Sequence, residues 1–321
     1  MKKTSFGIVA AMASLSLLLA ACGGSASGDN ANGAAGTDGG DVTGQVRVDG
    51  SSTVFPLTAL AAEDFQLENS GVQVTVGSSG TGGGFEKFCR GETDANNASR
   101  PIKDDEAAAC ADAGVAYGEL QVAVDALTVV VNPANDWATC LTIEELNKIW
   151  APDSTVNNWS QVREGFPDQE LKLFGPGTDS GTFDYFTDVI NGEEGASRTD
   201  FTPSEDDNVI VQGVAGSAGG LGYFGYSYFE ENADTLTAVE IDSGAGCVIP
   251  SAENAQNGTY VPLARPLFVY PSKEALTRPE VRAFFDYYVA NDASIAEGAQ
   301  FIALNPEQQA KLQADYAALT Q

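Results

Sequence analysis

The sequence predicts an α/β protein of two lobes, joined by two crossover segments, with a ligand cleft between the lobes. Along most of the 321 residues, short segments with the apolar alternation of strands are followed by segments with helical spacing. The nearly continuous apolar run Val122–Val131 predicts a buried strand that makes the first crossover, and the chain returns around Arg265–Tyr270. Ligands of such folds bind at the carboxyl ends of the strands. Polar residues at those ends are therefore the candidate site.

The central junction lies between the predicted strand Leu171–Phe174 and a helix with apolar residues at helical spacing. Asp179, Ser180, Gly181 and Thr182 occupy this junction, where unpaired backbone N–H groups and the positive end of the helix dipole attract an anion. The two hydroxyls add donors, and the glycine permits close approach. Taken alone, the junction is equally consistent with an ordinary helix cap.

Three further junctions between a predicted strand and a predicted helix repeat this arrangement and favour an anion site. They are Gly50–Thr53, Gly77–Gly84 and Ser99–Arg100. A glycine- and serine-rich run between a strand and a helix is the setting of an anion-binding nest of backbone N–H groups. Arg100 adds a positive charge beside a serine at a strand end. The four junctions together predict one donor-rich cleft.

The remaining elements follow from local signals. Pro56 fits the first turn of the first helix. Thr142 and Glu145 have the spacing of a capping box that opens a helix. Other predicted elements are a helix opening at residues 104–106, a strand or helix edge at Asn208–Val214, a Gly-aromatic loop and strand at Gly216–Tyr226, and two closing helices at Pro279–Asn291 and Pro306–Leu319.

The N-terminal segment is predicted to be a signal peptide over residues 1–21. Two lysines precede an apolar run that is too short to span a membrane as a helix. Its end, Leu19–Cys22, resembles the bacterial lipobox, which implies cleavage before Cys22 and a diacylglyceryl group on that cysteine. A plain secretory signal with a chance cysteine is the alternative. Residues 22–44 have the composition of a flexible linker.

The charge balance excludes nucleic acid as a partner. The chain has 16 basic and 45 acidic residues, and removal of Lys2 and Lys3 with the signal leaves 14 basic residues. Binding to nucleic acid requires a basic face, which such a chain does not provide. An anion ligand is compatible with this balance because charges beyond about 10 Å are screened at 0.1 M salt.

The absence of histidine removes the commonest general base and the commonest metal ligand. With Cys22 assigned to lipid, an even set of four cysteines remains, Cys89, Cys110, Cys140 and Cys247, and none of them forms a Cys-x-x-Cys pair. In an exported protein such a set predicts two disulfides. No metal site and no cofactor are predicted.

The motifs taken together resemble those of the phosphate-binding proteins of ABC uptake systems, the PstS type of the periplasmic-binding-protein fold (type II). The matching stretches are Asp49–Pro56, Gly77–Gly82, Asn97–Pro101, Leu141–Leu146 with Asn158 and Trp159, Gly177–Thr182 and Gly219–Tyr226. They occur in the family's order and cover essentially all of residues 45–321. The resemblance implies capture of inorganic phosphate outside the cytoplasm, on the outer face of the cell membrane. It further implies delivery to the permease subunits of an ABC importer by a lipid-anchored, monomeric, non-enzymatic protein.

The resemblance also implies a ligand shell. Its members are Thr53, Val54, Ser78, Ser180, Gly181 and Thr182, and Ser52 joins them because the first motif is one residue longer here than in the best-known form. That form has Asp after the Ala-Ser pair and Arg before the Ser-Gly-Thr motif. Here Arg100 follows Ala98-Ser99 and Asp179 precedes Ser180, so the two charged roles are exchanged between the lobes.

The predicted domains are residues 45–128 with 258–321, and residues 129–257. Cys89 and Cys110 fall in the first domain, and Cys140 and Cys247 fall in the second. We therefore expect the disulfides Cys89–Cys110 and Cys140–Cys247, since a pair between Cys110 and Cys140 would cross the hinge and hinder closure.

Two alternative functions remain at this point. A hydrolase using Ser180 cannot contain a Ser–His–Asp triad, and the lysine of a Ser–Lys pair would have to be Lys172, one strand-length away. A binder of another oxyanion, such as sulfate, molybdate or a phosphoester, is separated from a phosphate binder by Asp179. Hydrogen phosphate can donate a hydrogen bond to this carboxylate, whereas sulfate cannot.

Overall fold

The computed structural model describes residues 42–321. The predicted signal peptide, Cys22 and most of the predicted linker lie outside the described residues. Twelve strands are present in the described part: β1 Gly44–Gly50, β2 Val72–Val76, β3 Ala95–Ala98, β4 Leu120–Val131, β5 Cys140–Thr142, β6 Lys172–Pro176, β7 Thr202–Ser204, β8 Gly220–Gly225, β9 Thr237–Ala238, β10 Glu240–Asp242, β11 Cys247–Val248 and β12 Ala264–Pro271.

Twelve α-helices and one 3-10 helix, Ala275–Thr277, accompany these strands in the same part of the chain. The α-helices are α1 Phe55–Glu68, α2 Thr81–Cys89, α3 Asp104–Asp112, α4 Ile143–Trp150, α5 Trp159–Val162, α6 Gly181–Asn191, α7 Asp207–Ala215, α8 Tyr226–Glu231, α9 Ala252–Gln256, α10 Pro279–Ala290, α11 Asp292–Gly298 and α12 Pro306–Leu319.

The strands form one large mixed sheet and one small sheet. The large sheet has the order β2-β1-β3-β12-β4-β8-β6-β7, with β9 also paired to β4, and the small sheet has the order β11-β10-β5. β1, β2 and β3 are parallel, as are β6, β7 and β8. The predicted α/β class is confirmed, because parallel strands alternate with helices on both sides of the two long antiparallel strands β4 and β12.

β4 is the long apolar strand that the sequence predicts as the first crossover. Its first part, Leu120–Ala126, pairs antiparallel with β12, and its second part, Leu127–Val131, pairs antiparallel with β8. Ten of its twelve positions are consecutively buried after the second residue, which explains the unbroken apolar run. The strand therefore connects the β1–β3 half of the sheet to the β6–β8 half.

Two large apolar clusters form the cores of the two lobes. The first contains Phe65, Phe284 and Tyr288 and extends along β4 to Ala126, and the second contains Trp150 and begins on β4 at Leu127. The elements packed on these clusters are called the first and the second lobe below. In the second lobe, Phe186 of α6 stacks on Tyr223 of β8 with ring centroids 3.7 Å apart, and Trp150 packs edge-on against both rings. The predicted domain boundaries remain predictions.

Local signals place most elements correctly. Thr142 Oγ1 accepts a hydrogen bond from the N–H of Glu145, whose carboxylate accepts one from the N–H of Thr142, which is the predicted capping box. Two assignments change. The Asn208–Val214 segment is the helix α7, capped by Asp206, and α10 ends at Ala290, one residue earlier than expected. Helix ends of this kind fray, so the second difference is small.

Both expected disulfides are present. Cys89 at the end of α2 is bonded to Cys110 in α3, and Cys140 of β5 is bonded to Cys247 of β11. The second bond cross-links the two outer strands of the small sheet. Among the described residues, no helix combines the length and the apolar character that a membrane span requires.

Loss of the second disulfide tests this arrangement. The variant Cys140→Ser/Cys247→Ser opens a link between residues 107 apart, and we expect its free energy of unfolding to fall by about 2–4 kcal/mol. Urea denaturation of the oxidised proteins measures the difference. Peptide mapping of unreduced wild type is the control, and a Cys110–Cys140 peptide in that map would contradict the pairing.

Candidate functional site

A cavity of about 860 Å³ receives residues from all four predicted junctions. From these junctions it is lined by Ser51, Ser52 and Thr53, by Ser79, Gly80, Thr81, Gly82 and Gly83, by Ser99 and Arg100, and by Gly181. Lys103, Asp184, Tyr185, Asp188, Val189, Glu194, Val261, Pro262, Ala264 and Arg265 complete the wall. The cavity has the size of a small-molecule site. Its donors come from loops that end parallel strands, which is where such folds bind ligands.

The first helix end in the wall belongs to α1. Phe55 N–H donates to the carbonyl of Ser51, whereas the N–H groups of Ser52, Thr53 and Val54 have no acceptor within residues 42–321. No side chain of the described residues caps this helix. Ser52 and Thr53 also line the cavity, so their N–H groups, at the positive end of a 14-residue helix, are available to an anion.

The second helix end belongs to α2, which begins Thr81-Gly82-Gly83 beside the cavity. Gly80, with φ +80°, supplies the sharp turn into the helix. Asp49 holds the loop before α2 in place. Its carboxylate accepts hydrogen bonds from the N–H of Ser79 at 3.0 Å and from the Ser79 hydroxyl at 2.7 Å. Burial opposes ionisation of Asp49, but Lys87 and Ser79 hold its pKa below the ordinary value.

The third helix end belongs to α6, the helix of the central junction. Ser180 Oγ caps the helix by accepting a hydrogen bond from the N–H of Thr182 at 3.2 Å. Gly181 reaches the cavity, and a Cβ added there would lie 3.0 Å from Thr53 Oγ1. The N-termini of α1 and α6, one from each lobe, therefore meet at Thr53.

Arg100 lies in the wall on the first lobe and is neutralised by a neighbour. Its two terminal nitrogens donate to the two carboxylate oxygens of Glu106 in α3, at 2.8 Å and 2.7 Å. Burial opposes ionisation of Glu106, but Arg100 and the N–H of Lys103 hold its pKa below the ordinary value. The guanidinium is thus positioned at the cavity by a bidentate ion pair.

Arg265 is a second arginine in the wall, and the sequence did not assign it to the site. Its Nη2 donates to Thr53 Oγ1 at 3.0 Å, its Nε donates to Asp125 at 3.1 Å, and its guanidinium covers the Tyr185 ring at 3.6 Å. Arg265 lies on β12 and Asp125 on β4, so the pair joins the two crossover strands. The sequence did contain one signal for this role. Arg265 is one of few basic residues in the chain, and it lies in the predicted return segment between the lobes.

Asp125 is the buried partner of this pair, with a side chain 8% exposed. Burial raises the pKa of its carboxyl, and the charge and hydrogen bond of Arg265 oppose that rise. The arginine compensates for the hydration that the buried carboxylate loses, so removal of either partner would leave a buried charge without compensation.

The wall contributed by the second lobe is acidic. Asp184, Asp188 and Glu194 line it, facing a cavity whose cations are Arg100, Lys103 and Arg265. Asp184 is half-buried in α6. Burial and then Glu194 raise the pKa of its carboxyl, against the influence of Arg265. A carboxyl group of this kind is suited to accept a hydrogen bond from a protonated ligand oxygen.

The predicted ligand residues divide into two groups. Ser52, Thr53, Arg100 and Gly181 line the cavity. Val54, Ser78, Asp179, Ser180 and Thr182 do not: Val54 is buried, Ser78 and Asp179 are exposed, and Ser180 and Thr182 form the cap of α6 behind Gly181. In the second junction Ser79, not Ser78, contributes to the wall. The structure thus brings the four junctions together at one cavity. It does not place every predicted side chain in the wall, and at the second junction the wall residue is the next one along the chain.

Known proteins of one family match nearly the whole chain. A model of the PBP superfamily domain matches residues 35–292. The phosphate-binding protein PstS of Staphylococcus saprophyticus is 39% identical over 305 residues, which cover 92% of this chain and 90% of that protein. This chain belongs to the PstS family. Protein SphX of Synechococcus elongatus is 49% identical over 262 residues, covering 81% of this chain and 77% of that protein.

A solved relative agrees with the assignment to the PstS family. The crystal structure of a possible phosphate binding protein from Planctomyces limnophilus has 49% sequence identity and a TM-score of 0.84, over 87% of this chain and 100% of that one. The resemblance inferred from the motifs and the periplasmic-binding-protein fold are therefore confirmed.

Removal of the buried carboxylate tests the electrostatics of the site. In Asp125→Ala, Arg265 keeps its charge but loses its partner, and we expect the free energy of unfolding to fall by about 3 kcal/mol. Denaturant titration measures this value. The exposed pair Lys311–Asp315 provides the control, since Asp315→Ala should cost at most about 1 kcal/mol. Equal losses in the two variants would contradict a special role for the buried pair.

Proposed function

We propose that this chain is the solute-binding protein of an ABC phosphate importer and that it captures inorganic phosphate in the cavity described above. The observation that carries the proposal is the meeting of three helix N-termini and two arginines at one cavity. Backbone N–H groups and arginines are the donors that proteins use for phosphate oxygens. Membership of the PstS family supports phosphate in particular, because the relative from Staphylococcus saprophyticus is named a phosphate-binding protein.

The proposed ligand set follows the family motifs. It consists of four residues in the cavity wall, Ser52, Thr53, Arg100 and Gly181, and of five that the motifs assign but the wall does not contain, Val54, Ser78, Asp179, Ser180 and Thr182. Thr53 and Gly181 are supported by their close approach across the cavity. The N–H groups of Ser52 and Val54 support these two residues as backbone donors, because neither has an acceptor in the described part of the chain.

A hydrolase is not favoured. The Ser180 hydroxyl serves as the cap of α6, and the chain has no histidine to activate it. A Ser–Lys pair is not formed either, because Lys172 begins β6 and Ser180 follows the other end of that strand. The PstS family consists of binding proteins, which agrees with this interpretation. Another oxyanion as ligand remains an outcome of the binding experiment below.

The choice between phosphate and sulfate tests the function. We expect isothermal titration calorimetry to give phosphate an affinity about 10–100 times that for sulfate. A carboxylate in the site accepts a hydrogen bond from a P–OH group and repels an anion that has no such group. Titration of both anions at neutral pH measures the ratio. Comparable sulfate binding would contradict the phosphate assignment.

Two single variants identify the carboxylate. The sequence assigns it to Asp179, and the cavity wall offers Asp184. We expect the preference for phosphate to fall to near unity in Asp179→Asn if the first assignment holds, and in Asp184→Asn if the second does. Retained preference in both variants would contradict the carboxylate mechanism.

We further propose that the mature protein is a monomer held by lipid at Cys22 on the extracytoplasmic face of the membrane, where it meets the permease subunits. Two acyl chains give stable anchoring, and the segment after Cys22 has the composition of a tether. In Cys22→Ser we expect the mature domain to leave the membrane fraction or to remain uncleaved. Immunoblots of membrane and soluble fractions measure this, and unchanged fractionation would contradict the anchor.

A further inference from the structure

We propose that Arg265 is the guanidinium that binds the anion at the point where the two lobes meet, and that it also orients the Thr53 hydroxyl toward the ligand. The proposal rests on the proposed phosphate-binding function. It adds a binding residue on the strand β12, outside the stretches that carry the family resemblance above.

The position of Arg265 is the first argument. Its Nη2 lies 3.0 Å from Thr53 Oγ1, and a Cβ added at Gly181 would lie 3.0 Å from the same oxygen. The guanidinium therefore lies beside the N-termini of α1 and α6, whose unpaired N–H groups attract anions. A charged donor and two helix ends at one point form a stronger anion site than either feature alone.

Unused donors of Arg265 are the second argument. Nε is taken by Asp125 and one Nη2 donor by Thr53, whereas Nη1 has no hydrogen-bond acceptor within residues 42–321. The side chain is only 18% exposed. A largely buried guanidinium gains from a full set of acceptors. Anion oxygens in the cavity would complete that set.

Rigidity is the third argument. The Tyr185 ring lies against the guanidinium at 3.6 Å, and its hydroxyl donates to the carbonyl of Pro262. Asp125 accepts a hydrogen bond from Nε of the same guanidinium. A guanidinium held in one orientation before the ligand arrives loses little conformational entropy on binding.

Arg100 differs in this respect. Both of its terminal nitrogens already donate to Glu106, and Nη1 also donates to the carbonyl of Pro101. Arg265 makes one hydrogen bond to its carboxylate, through Nε, and directs its remaining nitrogens elsewhere. The two arginines thus offer the ligand different numbers of unused donors.

Thr53 gains a defined role from this contact. A hydroxyl has one donor and two acceptor positions, and Thr53 Oγ1 accepts from Arg265. Its own O–H is therefore left to donate to an anion oxygen. Arg265 acts on the ligand directly and also through this hydroxyl.

The test replaces the ion pair by neutral groups of similar shape. Arg265→Gln alone leaves Asp125 buried without its partner, so the informative variant is Arg265→Gln/Asp125→Asn, with Asp125→Asn as the companion that keeps the arginine. The matched control is Arg282→Gln/Asp286→Asn, because Arg282 also pairs with an aspartate through Nε and lies over a tyrosine ring, and neither residue lines the cavity. Circular dichroism and urea denaturation establish that each variant is folded.

Titration calorimetry with inorganic phosphate gives the readout. We expect about 100-fold weaker binding in Arg265→Gln/Asp125→Asn, a loss of less than about tenfold in Asp125→Asn, an intermediate loss in Arg265→Lys, and no change in the control. Phosphate binding by the folded Arg265→Gln/Asp125→Asn variant within threefold of wild type, about 0.7 kcal/mol, would overturn the role of Arg265 alone. Wild type that binds no phosphate would overturn the proposed function itself.

Discussion

The ion pair between Asp125 and Arg265 is the interaction on which the site depends. The two residues are direct partners in the antiparallel register of β4 and β12, the strands that connect the lobes. Because the register places them opposite each other, the guanidinium is delivered to the point where Thr53 of the first lobe and Tyr185 of the second converge. A shift of one residue in this pairing would turn the arginine to the other face of the sheet.

A strongly acidic chain can still bind an anion, because the site is set by short-range geometry. The net charge is −29, yet unpaired backbone donors and three cations lie in one cavity. Exposed carboxylates beyond about 10 Å are screened by salt, whereas partly buried donors are not. The acidic residues of the second lobe, Asp184, Asp188 and Glu194, line the cavity itself. Their proximity makes the protonation of the ligand matter, and a ligand that carries a proton is favoured over one that does not.

Local patterns predicted the elements and the four junctions, and they did so because caps, turns and strand alternation are short-range signals. The Thr142–Glu145 capping box and the alternating β1 are examples. The contact of Arg265 with Thr53 spans 212 residues, and no local pattern encodes it. The same limit explains Ser79 in place of Ser78, since the loop turns toward Asp49 of another strand. Asn208–Val214 was ambiguous because its few apolar residues, Val209–Val211 and Val214, fit a strand or a helix equally well.

Keeping Arg265 partly buried is unfavourable unless something offsets the loss of hydration. Asp125 supplies part of the compensation through one hydrogen bond to Nε, and Nη1 makes none to residues 42–321. Tyr185 compensates further through its ring face. The remaining hydrogen-bonding capacity of Arg265 is available to an anion. The anion then gains a charge-assisted hydrogen bond, and little conformational entropy is lost because the arginine is already ordered. The partners that stabilise the partly buried arginine therefore also orient it for an anion.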